Sequence, residues 1–339
     1  MRLAFFFCYN NPMKSMLKKF LRIPLLLLGL ASGLTLIAAV AYWLSDHTNG
    51  SLVSGGVKRK YLLHVPKSYD PTRPAALVIS IHGYGEWPAH QMQQSSWNSL
   101  ADQYGFIVVY PSGLGLPKHW RIGGIPNRPS DPQPEVTFIS DLIDSLSSRY
   151  NIDPARIYAN GFSNGGGLSF VLSCQLPERI AAIGSVGGAY LYPWEECQPA
   201  RPVPAILFHG TADPIVPYQG GPSRAFPLPF PSVPEWVEAQ ARRHGCTSAP
   251  QILPAEGMVS GVRYEDCTSG TEVVFYTITG GGHIWPGGKP LPKFIVGQHS
   301  ADIDATRVMW DFFQRHPLPG KDENHLTQST QRITKEHQE

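Results

Sequence analysis

The most informative part of the chain is the run Arg156-Ile157-Tyr158-Ala159-Asn160-Gly161-Phe162-Ser163-Asn164-Gly165-Gly166. Residues 156–160 have the apolar character of a buried strand, and a helix-like segment follows at 165–175. The Gly161-x-Ser163-x-Gly165 spacing between them is typical of a sharp strand-to-helix turn that lifts a serine hydroxyl out of a sheet. The alternative is a glycine-rich turn whose serine only caps the next helix. Ser163 is therefore a candidate nucleophile.

Short apolar runs alternate with amphipathic stretches on both sides of this turn. Strands are predicted at 76–81, 106–110, 156–160, 180–186, 205–208 and 273–278, with an edge strand at 60–65. Helices are predicted at 91–104, 136–149, 165–175, 234–244 and 302–314. The alternation predicts an α/β fold with a mostly parallel central sheet flanked by helices. In such sheets the chemistry lies at the carboxyl ends of the strands.

Two further strand ends carry residues that would complete a serine hydrolase site. A serine hydroxyl needs a base, and the base needs an orienting carboxylate, in the chain order serine, acid, histidine. Asp213 follows one predicted strand in a turn, and His283 follows the last strand after three glycines. Asp302 and Asp304 come after the histidine, at the start of a helix, where capping or solvation is expected. We therefore predict the triad Ser163, Asp213 and His283.

The reaction also requires donors to the oxyanion. One is expected from the backbone N–H of Asn164, directly after the nucleophile. The other is expected from the loop His82-Gly83-Tyr84-Gly85-Glu86, which follows an early strand. We predict the backbone N–H of Tyr84 as this second donor and assign His82 a structural role in holding the loop.

Aromatic residues near these loops are candidates for substrate contact. Residues 221–234 form a proline-rich, apolar segment shortly after Asp213, and it contains Phe226 and Phe230. With Trp120 and Trp285, these side chains are predicted to bind an apolar or aromatic ester group, although ordinary packing explains many such aromatics. The sequence carries no spacing typical of a metal site and no nucleotide-binding glycine loop, so we predict no metal and no cofactor.

The amino-terminal segment combines a basic stretch with a long uncharged run. All charged residues before Ile23 are basic, although the whole chain has 28 Lys and Arg against 26 Asp and Glu. Residues 23–44 carry no charge and are long enough to cross a bilayer, since a helix needs about 20 apolar residues to do so. Residues 1–22 are then cytoplasmic, and the rest is extracytoplasmic. The run is either a retained membrane anchor or a cleaved signal peptide, so the protein is secreted, periplasmic or membrane-anchored. A nucleic-acid partner is not expected because no basic cluster follows.

Beyond this segment, residues 51–317 are predicted to form one large domain, and residues 318–339 a polar tail. The domain contains Cys174, Cys197, Cys246 and Cys267. Export favours disulfides, and four cysteines allow three pairings. We favour Cys174 with Cys197 and Cys246 with Cys267, because each pair closes a short loop; buried free thiols are the alternative.

Five stretches resemble the secreted polyhydroxybutyrate depolymerase and feruloyl esterase family. They are His82-Gly83-x-Gly85, the serine stretch above, Pro177-Glu178-Arg179-Ile180-Ala181-Ala182-Ile183, His209-Gly210-Thr211-x-Asp213-x-x-Val216-Pro217-Tyr218 and Gly280-Gly281-Gly282-His283-x-Trp285-Pro286-Gly287. The resemblance covers about residues 55–315 and implies an α/β-hydrolase fold with the triad named above. Tyr84 replaces a frequent cysteine and Ile284 a frequent threonine, which implies a differently shaped pocket.

The resemblance implies an exported serine carboxylic-ester hydrolase acting through an acyl-serine intermediate. Its substrate is expected to be a small or oligomeric ester, such as a hydroxyalkanoate or a feruloylated or acetylated saccharide. Two other functions are considered. A serine peptidase on the same fold would need a peptide-recognition domain, for which no sequence block is large enough. A non-catalytic binding module would be expected to lack a triad member.

Overall fold

The computed structural model describes Gly33 and residues 47–125, 130–223, 225–289 and 292–319. The chain divides into two compact units, Met1–His47 and Thr48–Glu339. Apart from Gly33, the predicted basic segment 1–22 and the predicted anchor or signal peptide 23–44 lie outside the described residues. Within the described ranges, no helix combines the length and apolar character needed to cross a membrane.

The described part of the second unit is built around one ten-stranded sheet. Its strands are β1 (Gly50–Ser54), β2 (Val57–His64), β3 (Ala75–Ile81), β4 (Ile107–Pro111), β5 (Ile152–Phe162), β6 (Ala182–Val186), β7 (Ala205–Gly210), β8 (Gln251–Glu256), β9 (Val259–Tyr264) and β10 (Val273–Ile278). The strand order is β1-β2-β4-β3-β5-β6-β7-β10-β9-β8. The six central strands, β4, β3, β5, β6, β7 and β10, run parallel to one another. The two strands at each edge pair antiparallel.

Helices cover both faces of the sheet. They are α1 (Pro88–Ser95), α2 (Trp97–Tyr104), α3 (Gln133–Ser147), α4 (Asn164–Gln175), α5 (Val233–Arg243), α6 (Lys293–Val296) and α7 (Ala305–Gln314). On β3, Leu77 and Ile79 belong to the core shared with α3, α4 and α5, whereas Val78 packs with α2 and α7 on the other face. Successive side chains of a strand point to opposite faces, so a strand covered on both sides is apolar throughout. The predicted mostly parallel sheet flanked by helices is confirmed.

Three details differ from the sequence-based prediction. The helix predicted at 91–104 is two helices, because Ser96 adopts a left-handed conformation with φ of 55° and ends α1. Strand β2 is not at the edge, since β1 pairs outside it. The β8–β9 hairpin was missed, because β8 is largely exposed and lacks the apolar run that was used to recognise strands.

Two disulfides close local loops at the periphery of the sheet. They join Cys174 to Cys197 and Cys246 to Cys267, which is the pairing favoured from the sequence. The first ties the end of α4 to the loop after β6, and the second ties the segment after α5 to the segment after β9. Disulfides persist in oxidising compartments, so the two bonds indicate an extracytoplasmic protein.

The predicted polar tail begins with an ordered contact. The backbone N–H of Leu318 donates to the carbonyl oxygen of Ala155 at 2.8 Å, and the Leu318 side chain packs against the core. Leu318, the first residue of the predicted polar tail, is therefore held against the core, while residues 320–339 lie outside the described ranges.

Replacing both Cys246 and Cys267 by alanine is expected to lower the free energy of unfolding by about 3 kcal/mol, because the bond restricts a loop of this length in the unfolded chain. Urea unfolding under non-reducing conditions would measure the difference. An unchanged unfolding midpoint would contradict a stabilising role for this disulfide.

Candidate active site

Ser163 lies in a strained turn between β5 and α4. Its φ of 55° and ψ of −117° are unusual for a residue with a side chain. Such a conformation costs about 1–3 kcal/mol and persists only where the surroundings hold it. Here the Ser163 N–H donates to Val186 O at 2.8 Å, and its carbonyl accepts from the N–H groups of Gly167 and Ala189 at 3.0 Å each. The turn is thus fixed from both sides.

The glycines around the turn allow a close approach of backbones. A methyl group at Gly161 would lie 2.3 Å from the carbonyl carbon of Gly165. One at Gly165 would lie 2.2 Å from the oxygen of Ile81, at the end of β3. A side chain at either position would collide with backbone atoms, so the turn would have to move. The Gly-x-Ser-x-Gly spacing therefore reflects sterics at the serine turn, as the sequence predicts.

Asp213 lies in the turn after β7 and is almost completely buried. Its Oδ1 accepts from the N–H groups of Ile215 and Val216, both at 2.8 Å. Its Oδ2 lies 2.6 Å from Nδ1 of His283. Burial by itself raises the pKa of the Asp213 carboxyl, but His283 and His209 together lower it below its usual value. Asp213 is therefore ionised and acts as a hydrogen-bond acceptor for His283.

His283 is held in the glycine turn after β10, with its backbone N–H donating to Val296 O at 2.5 Å. Its ring centroid lies 4.7 Å from that of Phe162, the residue before Ser163. Because Asp213 accepts at Nδ1, the proton of a neutral imidazole is assigned to Nδ1, which leaves Nε2 able to accept a proton. The structure thus brings Asp213 and His283 into contact beside the serine turn.

The predicted oxyanion donors lie in two neighbouring segments. In the loop after β3, the N–H of Gly83 donates to Glu86 Oε2, that of Gly85 to Lys118 O, and that of Glu86 to Gly83 O. The N–H of Tyr84 has no acceptor among the described residues. Asn164 is the first residue of α4, where a backbone N–H has no partner within the helix. Both predicted donors are therefore available.

Trp120 connects these two segments. The Asn164 side chain accepts from Trp120 N–H at 2.7 Å and donates to Trp120 O at 3.2 Å. The indole N–H of Trp120 donates to His82 O at 2.8 Å. His82 in turn accepts from Gly113 N–H through Nε2, so it holds the loop as expected. Trp120 thereby fixes the nucleophile helix relative to the oxyanion loop.

A cleft of about 450 Å³ opens beside Ser163 and Asn164. Its other lining residues are uncharged and mostly apolar: Tyr84, Ile122, Ile125, Ala189, Leu191, Ile215, Val216, Ala225, Phe226, Pro227, Leu228 and Phe230. The rings of Tyr84 and Phe226 make an edge contact with centroids 5.4 Å apart. This contact joins the oxyanion loop to the proline-rich segment across the cleft.

Of the four predicted substrate-binding aromatics, only Phe226 and Phe230 line this cleft. Trp120 and Trp285 are fully buried and do not line it. Trp285 donates its indole N–H to Thr306 at 2.8 Å and packs in the core beneath α7. The prediction of direct substrate contact is therefore corrected for both tryptophans, which support the site from behind.

Comparison with known proteins identifies the chain. Residues 68–225 match the phospholipase/carboxylesterase family model. A protein of Nocardia uniformis subsp. tsuyamanensis named "Putative esterase NocK" is 31% identical over 286 residues, covering 78% of this chain and 82% of the relative. The chain belongs to the phospholipase/carboxylesterase family. It is a carboxylic ester hydrolase with an α/β-hydrolase fold.

Two further relatives of the esterase are informative. The feruloyl esterase B of Piromyces equi is 31% identical over 274 residues, covering 77% of this chain but only 46% of that relative's length. The acetyl xylan esterase from Aspergillus awamori superposes with a TM-score of 0.52 at 18% sequence identity, covering 73% of this chain and 96% of that structure. The structural likeness supports the fold.

Sequence reasoning assigned no role to His209, which lies beside the candidate acid. Nε2 of His209, at the end of β7, lies 3.4 Å from Asp213 Oδ2 and 2.9 Å from Val216 O. His209 therefore lies beside the same carboxylate oxygen of Asp213 that contacts His283. Its position four residues before Asp213 in the His-Gly-Thr motif was the available signal. Within the described residues, no cluster of His, Cys, Asp or Glu is arranged to bind a metal ion.

The lowered pKa of Asp213 predicts how its contribution to stability depends on pH. Since the folded-state pKa lies below the unfolded value of about 3.9, the contribution is present above that value and is lost as the pH falls through the folded pKa. The difference in unfolding free energy between wild type and Asp213→Asn should therefore shrink between about pH 5 and pH 2. Denaturant titrations across this range measure it, and a constant difference would contradict the prediction.

Proposed function

We propose that the protein hydrolyses uncharged esters through an acyl-serine intermediate, with Ser163 as nucleophile, His283 as base and Asp213 as orienting acid. The observation that carries the proposal is the 2.6 Å contact of Asp213 with His283 beside the strained turn of Ser163. This arrangement supplies the parts of serine hydrolysis: a nucleophile, a base and a carboxylate that fixes the base.

In the first step, the hydroxyl oxygen of Ser163 attacks the acyl carbonyl carbon while Nε2 of His283 takes the hydroxyl proton. The backbone N–H groups of Tyr84 and Asn164 donate to the oxyanion of the tetrahedral intermediate. The carbon–oxygen bond to the alcohol then breaks, and His283 donates the proton to the leaving alcohol. Asp213 stabilises the positive charge that His283 carries between these two transfers.

In the second step, a water molecule attacks the acyl-serine. His283 accepts the proton of this water and returns it to the oxygen of Ser163 as the acid product leaves. The same two backbone donors stabilise the second tetrahedral intermediate. The serine hydroxyl and the neutral imidazole are restored, so no cofactor is consumed.

The cleft supports an ester with an apolar acyl group as the substrate. Its lining contains no charged side chain, so a charged acyl group would lose its hydration without gaining an opposite charge. Phe226 and Tyr84 offer an aromatic edge and face. We therefore favour a feruloyl-type aromatic ester, with hydroxyalkanoate oligomers as the second candidate. An acetyl group would leave most of the cleft empty, which makes acetylated saccharides a weaker candidate.

We also propose that residues 51–317 form the catalytic domain of an exported protein. The two disulfides and the uncharged run at 23–44 support export. The uncharged run is proposed to serve as a signal peptide or a membrane anchor. Sequencing the amino terminus of the mature protein from the native host distinguishes the two.

Ser163→Ala is expected to reduce kcat/KM for a p-nitrophenyl ester to below about a thousandth of wild type, because the nucleophile is removed. The variant should also lose labelling by a fluorophosphonate probe. Ser173→Ala is the matched control, since Ser173 is a buried serine of α4, the helix that follows Ser163, and does not line the cleft. Retained hydrolysis by Ser163→Ala would exclude the proposed nucleophile.

Phe226→Ala is expected to raise KM for methyl ferulate by roughly two- to tenfold with little change in kcat, since an aromatic contact contributes about 0.5–1.5 kcal/mol. Phe294→Ala is the control, because this phenylalanine is exposed and does not line the cleft. A panel of methyl ferulate, acetylated xylan, a hydroxybutyrate trimer and a peptide amide should be scored by released product. Preferential release from the peptide amide would favour a peptidase instead.

A further inference from the structure

A buried carboxylate that the proposed reaction does not use lies directly behind the oxyanion loop. Glu86 Oε2 accepts from the backbone N–H of Gly83 at 2.9 Å and from Gln94 Nε2 at 3.0 Å. Its Oε1 lies 3.3 Å from Nδ1 of His90. The Glu86 side chain is only 15% exposed. Each oxygen of this carboxylate therefore has at least one specific partner.

Glu86 forms two hydrogen bonds with Gly83, one through its side chain and one through its backbone, and these close the turn at residues 83–86. The backbone N–H of Glu86 donates to Gly83 O at 3.3 Å, and the side chain of Glu86 accepts from Gly83 N–H. Both the N–H and the carbonyl oxygen of Gly83 are thus bonded to Glu86. A methyl group at Gly83 would lie 3.1 Å from Glu86 Oε2 and 3.2 Å from the ring of Phe162. The turn is therefore packed tightly between Glu86 and the strand that carries the serine.

A chain of buried amides anchors Glu86 to the sheet. Gln94 donates to Gln91 Oε1 at 2.7 Å, and Gln91 donates to Ser80 Oγ at 3.0 Å. Ser80 donates to Asn160 Oδ1 at 2.9 Å, on strand β5. This strand leads into Ser163. These hydrogen bonds thus fix the position of Glu86 relative to the strand that leads to the nucleophile.

These contacts determine the direction of one N–H group. Three N–H groups of this turn have acceptors within the protein. The N–H of Gly83 donates to Glu86, that of Gly85 to Lys118 and that of Glu86 to Gly83. The N–H of Tyr84, which lies between them, is left for a ligand. An oxyanion donor is effective only when it is held in place before the charge develops. If Glu86 no longer accepted from the Gly83 N–H, residues 83–86 would be less tightly held, and the Tyr84 N–H would no longer be fixed toward the oxyanion.

We propose that Glu86 is a positioning residue for ester hydrolysis, whose carboxylate, paired with His90, holds the turn at residues 83–86 so that the Tyr84 N–H points at the oxyanion. The inference rests on the proposed function, because it takes Tyr84 as the donor. Glu86 does not touch the substrate; it acts through the backbone.

The surrounding charges keep this carboxylate ionised. Burial by itself raises the pKa of Glu86, but His90, the Gly83 N–H and His82 lower it below its usual value. Burial lowers the pKa of His90, but Glu86 outweighs this effect and raises it, against an opposing contribution from Lys289. An ionised acceptor makes the stronger hydrogen bond to Gly83.

The test compares three substitutions at Glu86 in the full chain, measured with p-nitrophenyl acetate. Glu86→Ala should lower kcat by roughly 10- to 100-fold, less than the roughly 100- to 1,000-fold lost when an oxyanion donor itself is removed, because the Tyr84 N–H is displaced but still present; KM should change by less than about twofold. Glu86→Asp keeps the charge but is too short to reach Gly83, and it should lose kcat similarly. Glu86→Gln keeps an oxygen acceptor at full length and should recover most of the activity.

A second readout separates positioning from general damage to the fold. A boronic acid that forms a tetrahedral adduct with a serine places an oxygen where the oxyanion would lie. Its affinity should fall by the same factor as kcat in Glu86→Ala and Glu86→Asp. Glu272→Gln is the matched control, because Glu272 is a 13% exposed carboxylate that also contacts a histidine, His316, but lies outside the cleft. This variant should keep both kcat and inhibitor affinity.

The outcomes distinguish this inference from the proposed function. If Ser163→Ala abolishes hydrolysis while Glu86→Ala and Glu86→Asp keep wild-type kcat, the positioning role is wrong and the proposed function stands. If Ser163→Ala remains active, the proposed function itself fails. Should Glu86→Ala not fold, Glu86→Asp against Glu86→Gln still decides: equal kcat in the two variants overturns the inference.

Discussion

The strained backbone at Ser163 is the constraint on which the rest of the site depends. A positive φ at a serine costs about 1–3 kcal/mol, and the hydrogen bonds to Val186, Gly167 and Ala189 offset this cost by holding the turn on both sides. The turn exists because β5 lies in the middle of a parallel sheet and must connect at once to a helix packed on one face. Gly165 approaches the end of β3 so closely that only glycine fits there. The geometry of the serine is therefore fixed by the sheet, and the turns after β7 and β10 place the proposed acid and base beside the serine turn.

The proposed oxyanion donors depend on a second set of contacts, which is independent of the proposed triad. Trp120 bonds both to the side chain of Asn164 and to His82, so the nucleophile helix and the oxyanion loop move together. Donors that are fixed in advance need no reorganisation when charge develops in the transition state, which is why such contacts matter for rate. A buried tryptophan that does not line the cleft is thus placed to affect catalysis through the residues it holds.

The sequence was sufficient to propose those parts of the candidate site that follow from strand ends and chain order. Ser163, Asp213 and His283 each follow a strand that an apolar run identifies, and the parallel sheet gathers such ends at one edge. It did not predict which aromatics face the cleft, since Trp285 and Phe226 both lie in loops beside the site and only tertiary packing makes one buried and the other a lining residue. The contacts of Glu86 and His209 were not predicted either, although both residues lie within four positions of their partners, because spacing in a loop does not fix which way a side chain points.

Two carboxylates near the serine turn, the buried Asp213 and the largely buried Glu86, differ in their contacts. Asp213 contacts His283, whose other nitrogen is free to exchange a proton, whereas Glu86 is tied to His90, Gln94 and the backbone of Gly83. In both cases contacts with histidine lower the carboxyl pKa against the opposing effect of burial. Both carboxylates are therefore ionised, while the side chains that line the cleft carry no charge. An uncharged ester can then be desolvated in an apolar pocket, and the charge that develops on its carbonyl oxygen meets donors that were placed before it arrived.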